Sequence, residues 1–240
     1  MPMMKYQSLL VVAALLLPVP VYAQNSEGAA SCQIRTIFHD PVNPAADLFV
    51  PDKAGNMAKL EFIPASLSNP QAVRPVNGSL VLYKTATVDP KNPQESVAAT
   101  VKLPENLKRL IVIVLPGPAN SNPPYRMVVI DDSNTGFPRG ESRVVSLLPV
   151  ETAIEAGEHK LPVNPGKVTN LPVVTKVNEF NMAQTNFYFK KGETWVAFTE
   201  RQLQFLNEFR RIFIVHLTPG ATFPIVTTIV DTAPPVVPKG

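Results

Sequence analysis

One strand-and-corner block occurs twice in this chain, and it constrains the fold more than any single motif. Leu107-Lys108-Arg109-Leu110-Ile111-Val112-Ile113-Val114-Leu115-Pro116-Gly117 is echoed by Phe209-Arg210-Arg211-Ile212-Phe213-Ile214-Val215-His216-Leu217-Thr218-Pro219-Gly220. Each copy leads into a second apolar strand that ends in an acid, Val128-Val129-Ile130-Asp131 and Thr228-Ile229-Val230-Asp231. Upstream, Arg74-Pro75-Val76-Asn77-Gly78 has a likeness in Leu161-Pro162-Val163-Asn164-Pro165-Gly166. Self-similarity in this order predicts a duplicated all-β unit. Matching these blocks leaves the second unit longer than the first, with the extra residues between Lys167 and Phe209.

The rest of the chain is written in the same style. Short apolar runs such as Ile34–Phe38, Asp47–Val50, Lys59–Ile63, Ser79–Thr85, Val97–Leu103 and Tyr125–Ile130 are separated by turn residues. The 26 prolines against 11 glycines fit this, because a proline without an N–H sits at edges, strand starts and corners. The spacing predicts two tandem β-sandwich, immunoglobulin-like units of about seven strands each. The expected first unit is 34–132, joined by a linker loop at 133–141 to a second at 142–232, with an extra hairpin near 178–205 and a Pro-rich tail at 233–240. In the second unit, Val173–Val177 reads as a strand and Glu200–Phe209 as one or two helical turns. Leu80 and Leu82 alternate with Val81 and Tyr83, which predicts a strand covered on both faces.

Residues 1–23 read as a secretory signal peptide: Lys5, an apolar run from Leu9 to Leu17, then Val21-Tyr22-Ala23 at the cleavage site. The expected location is periplasmic or extracellular, with no integral membrane segment after cleavage, since the apolar run is short for a span. Residues 24–33 read as a disordered arm carrying Cys32, the one cysteine, so no intrachain disulfide is possible. The formal charge of +3 is spread out, and no Lys/Arg block is long enough to follow phosphates, so nucleic acid is not an expected partner.

Candidate chemistry is sparse. Asp131-Asp132-Ser133-Asn134-Thr135-Gly136 gathers oxygen ligands, but the following Phe137-Pro138-Arg139-Gly140 blocks a helix, and the stretch reads as an Asx-turn loop and not as a Ca²⁺ site. Ile229-Val230-Asp231-Thr232-Ala233 has the outline of an aspartic-protease half-site, with Asp131 as its repeat partner. The glycine such a loop needs is absent from Asp131's copy. Gly140-Glu141-Ser142-Arg143-Val144 lacks the second glycine of a nucleophile elbow. His39, His159 and His216 have no metal-ligand spacing. No catalytic residue, cofactor or metal is therefore expected. The possible ligand-binding set is Tyr188, Lys190, Lys191 and Trp195, an aromatic and basic group on a hairpin, although a lone tryptophan in a sandwich reads first as core.

The stretch Val129-Ile130-Asp131-Asp132-Ser133 through Phe137-Pro138-Arg139-Gly140-Glu141-Ser142-Arg143-Val144-Val145-Ser146-Leu147-Leu148-Pro149 resembles a corner found in uncharacterised bacterial secreted proteins with tandem immunoglobulin- or transthyretin-like sandwich units. The resemblance implies a fold and no activity. The expectation is a secreted or periplasmic non-enzymatic structural or interaction protein of the cell envelope, with a protein or glycan partner. A carbohydrate- or anionic-polymer-binding module is the alternative, and a periplasmic pilus-type chaperone a further one.

Overall fold

A computed structural model describes residues 31–232. The expected signal peptide and the Pro-rich tail lie outside the described residues, as does most of the expected arm. The first half holds β1 (Cys32–Phe38), β2 (Phe49–Pro51), β3 (Met57–Lys59), β4 (Gln71–Val73), β5 (Ser79–Tyr83), β6 (Val97–Lys102), β7 (Arg109–Pro116) and β8 (Tyr125–Asp131). The second holds β9 (Ser142–Ser146), β10 (Thr152–Ala156), β11 (His159–Val163), β12 (Val168–Leu171), β13 (Met182–Lys191), β14 (Thr194–Gln204), β15 (Phe209–His216) and β16 (Ile225–Thr232). The described residues are all-β, apart from a 3-10 turn at Pro93–Ser96.

The duplication holds strand for strand. The first half forms the sheets β4-β1-β7-β8 and β3-β2-β5-β6, and the second forms β12-β9-β15-β16 and β11-β10-β13-β14. In both halves the first strand runs parallel to the seventh, β1 with β7 and β9 with β15. Each half is thus a two-sheet sandwich of eight strands where the sequence spacing suggested about seven. The constant-type immunoglobulin order instead places strands one, two, five and four together.

Three apolar cores hold four layers together. Ile34, Leu48, Leu80, Leu82, Leu110, Val112 and Val114 fill the first sandwich. Val144, Ile154, Phe187, Phe213 and Val215 fill the second. The third lies between the halves, where Ile37, Ile111, Ile113 and Ile130 meet Val145, Ile212, Ile214 and Ile229. Alternate residues of β7 and β15 therefore serve different cores, as the two-residue period of a strand requires. These are the strands covered on both faces, and their unbroken apolar runs are the sequence form of that burial. The expectation for β5 is corrected: Leu80 and Leu82 are buried, but Val81 and Tyr83 are half-exposed on an outward face.

Other corrections follow from pairing. Cys32 is not on a free arm; it opens β1, is buried, and stands opposite Val73 of β4. Burial raises the pKa of its thiol. Val173–Val177 is not a strand, and Glu200–Phe209 is not helical, because β14 continues to Gln204 against Met182. Arg74–Gly78 joins β4 to β5, whereas Leu161–Gly166 ends β11, so that likeness joins unlike places. The hairpin expected near 178–205 is present as β13–β14, but it is not an addition to the second half. β13–β14 is the counterpart of β5–β6, lengthened because residues matching the Lys84–Ser96 loop are strand here.

The halves are also joined by charge. Arg35 donates to both carboxylate oxygens of Asp132 at 2.9 and 2.7 Å and to both of Asp231 at 3.0 Å. Arg210 donates to Asp132 at 2.7 Å, to Asp231, and to the Phe137 carbonyl at 3.0 Å. Phe137, from the loop between the halves, is fully buried beneath the guanidiniums of Arg143 and Arg210, at 4.3 and 4.7 Å from its ring centre. Burial pushes the Asp231 carboxyl up, but the bonds and charges of Arg35 and Arg210 outweigh it and hold the pKa at about 2.

Three outcomes are expected. Ile214→Ala should cost about 2–5 kcal/mol in urea unfolding, as a large-to-small change in a closed core, and the half-exposed Val81→Ala clearly less. Asp132→Ala should cost about 3–5 kcal/mol, since it leaves buried guanidiniums short of an anion. The folded pKa of Asp231 is depressed, so its stabilisation is complete above the unfolded value of 3.8 and is lost as pH falls through about 2; acid titration of wild type against Asp231→Asn reads this.

Candidate functional site

Alternation along β13 places Phe187 and Phe189 toward the second core and Tyr188 and Lys190 on the outward face of the outer sheet. Trp195 pairs with Lys190 across the hairpin, and Tyr188 with Ala197. Trp195 is 45% exposed, so the expectation that it is core is corrected. The core role is taken by Phe187, whose ring meets Phe213 edge-on at 5.4 Å. Lys191 alternates to the opposite face beside the turn, so it is not part of the group.

The neighbouring strands complete a shallow groove. In register, Ala153 of β10 lies beside Tyr188 and Pro162 of β11; Glu155 lies beside Asn186 and Lys160. Tyr188, Trp195, Ala153, Glu155, Lys160, Leu161 and Pro162 line a hollow of about 280 Å³. The Tyr188 hydroxyl donates to Glu155 at 2.7 Å and accepts from the Asn186 amide at 3.3 Å. Lys160 meets Glu155 at 2.5 Å. Those two hydrogen bonds, from Lys160 first and Tyr188 second, lower the Glu155 pKa and keep it an acceptor. The Tyr188 pKa is raised, chiefly by its bond to Glu155. Lys190 is likewise engaged, at 3.1 Å from Glu151.

Beyond the groove the face continues as amides and acids. Asn186 pairs with Glu200, Gln184 with Gln202, and Met182 with Gln204. Gln184 donates to Asn186 at 2.7 Å. The sequence pointed to the aromatic residues of this face but not to Glu155, Lys160, Asn186, Gln184 or Gln202. Their signal was the period-two alternation of β10, β13 and β14, masked where Glu200–Gln204 was read as helical.

The acids that drew attention in the sequence are elsewhere and do other work. Asp131 accepts the Ser133 amide at 2.8 Å, and the Ser133 hydroxyl accepts the Gly136 amide at 2.9 Å, which is the expected Asx-turn pattern. A Cβ at Gly136 would overlap the Asp131 carboxylate, so the tight loop depends on that glycine. The structural partner of Asp231 is Asp132, not Asp131: Asp132 stands opposite Arg109 and Asp231 opposite Arg210. Both carboxylates are clamped by the same two arginines, the reverse of a pair that shares a proton. Among the described residues, no group of three or more His, Cys, Asp or Glu side chains is placed to hold a metal ion. Nor is any described helix long and apolar enough to cross a membrane. No family model and no curated protein matches the chain.

Proposed function

We propose that this is a secreted or periplasmic, non-enzymatic interaction protein of the cell envelope, and that its second half binds carbohydrate on the outward face of β11-β10-β13-β14. The observation that carries the reading is the exposed Trp195 beside Tyr188, whose hydroxyl is held by Glu155 and Asn186. Aromatic rings offer an apolar surface to the C–H face of a sugar ring, and they are rigid enough to bind with little ordering cost. Amides and carboxylates around them supply both donors and acceptors for hydroxyl groups. The acids on the face favour a neutral glycan over an anionic polymer. Lys160 and Lys190 are both paired with glutamates, and Glu200 adds a further negative group. Export to the envelope rests on the signal-like N-terminus, and the non-enzymatic reading on converging acids that are neutralised by arginine.

The test is retention of the purified protein by neutral and anionic polysaccharides in affinity electrophoresis. Trp195→Ala should stay folded, within about 0.5 kcal/mol of wild-type stability, as an exposed substitution does. It should weaken retention by neutral glycan at least tenfold, as loss of an aromatic anchor does. Retention unchanged in that variant, or seen only with polyanions, would overturn the assignment.

A further inference from the structure

The contact between the halves has two polar ends. One is the cluster of Arg35, Arg210, Asp132 and Asp231, in which every charge has an opposite neighbour. At the other, His39 follows β1 and His216 ends β15, and their rings touch at 4.3 Å between centres, inclined at 74°. His39 is 9% exposed and His216 5%. The His216 Nε2 shares a hydrogen bond of 3.0 Å with the Thr227 hydroxyl. Its Nδ1, and the Nε2 of His39, are buried with no partner.

Those two nitrogens decide what the pair does. They are closed off from solvent, so they are not set to receive a ligand from the hollow that borders them. Left without a partner, each costs less on a neutral imidazole than on a charged one. A second proton there would place an N–H⁺ in a site without an acceptor, beside another imidazole. Asp40, next to His39, is the acid that acts on that ring, and its charge raises the His39 pKa against the larger effect of burial. Its carboxylate already accepts the Val42 and Asn43 amides and the Asn43 side chain. Thr218, Thr227 and Ile225 approach from the second half without a further charge. Burial, then the neighbouring His216, lowers the His39 pKa from 6.5 to about 4, and burial lowers that of His216.

We infer that His39 and His216 form an acid-sensitive latch between the two halves, closed when both rings are neutral and released when either takes a proton. Release separates this end of the junction, while the arginine–aspartate cluster at the far end keeps the halves attached. The sign follows from linkage. A histidine whose folded pKa is depressed binds more protons unfolded or opened, so its stabilisation is complete above about 6.5 and is lost as pH falls toward 4. That window lies above the one set by Asp231.

Hydrogen exchange at pH 7.0 and 4.5, corrected for intrinsic rates, tests this in wild type and in His39→Gln/His216→Gln. In wild type, amides of the junction strands β8, β15 and β16 should exchange at least tenfold faster at pH 4.5, and those of the outer strands β5 and β10 should not. The double variant, which cannot charge, should show no such difference between the two pH values. Equal acceleration in all layers, or the same acceleration in the variant, would overturn the latch. If the variant does not fold, the wild-type imidazole titration by NMR decides: a His39 pKa at or above 6.5 refutes the proposal, and one well below it, coincident with the exchange change, supports it.

Discussion

A sheet that is apolar on both faces has to be covered twice, and the rest of this structure follows from that requirement. β7 and β15 each present one set of residues to their own sandwich and the alternate set to the other half. Neither half can leave Ile111 and Ile113, or Ile212 and Ile214, against water without losing the transfer free energy of several buried aliphatic side chains. Stacking the two inner sheets satisfies both at once. The halves are therefore layers of one packed body, and the loop carrying Phe137 is part of the packing.

That arrangement was partly legible in the sequence. The doubled block from Arg109 and Phe209 onward marked the central strands, because a strand buried on both sides has to be apolar at every position. What it did not mark was the phase. Matching Arg109 to Arg211 differs by one residue from the match that aligns faces, in which Ile111 and Ile113 correspond to Ile212 and Ile214. One residue turns a strand's faces over, so the same slip paired Asp131 with Asp231 when Asp132 is the counterpart. The short β4 was missed because three residues of Gln-Ala-Val carry no periodicity.

The candidate site was readable in its aromatic half only. Tyr188 and Trp195 stand out by type, but their partners Glu155, Lys160 and Asn186 are ordinary surface residues until the register of three strands sets them side by side. Trp195 read as core on the habit of sandwiches with a single tryptophan, whereas Phe187, Phe198 and Phe213 had already filled that volume. The two outer sheets differ in a way that composition conceals. Arg201 shows this at the free edge of β14. Its side chain turns inward to the Thr228 hydroxyl, a device that makes a long exposed edge a poor template for another strand.

The parallel pairing of each half's first strand with its seventh places a constraint on folding. β1 has no central partner until the residues of β7 exist, and β9 waits in the same way for β15. Contacts this distant along the chain close late, because loop entropy is lost before they form. A chain delivered with its N-terminus leading would hold β1 open while most of the first half emerges. The buried Cys32 would be open to oxidants for that interval and closed to them once β4 and β7 flank its strand.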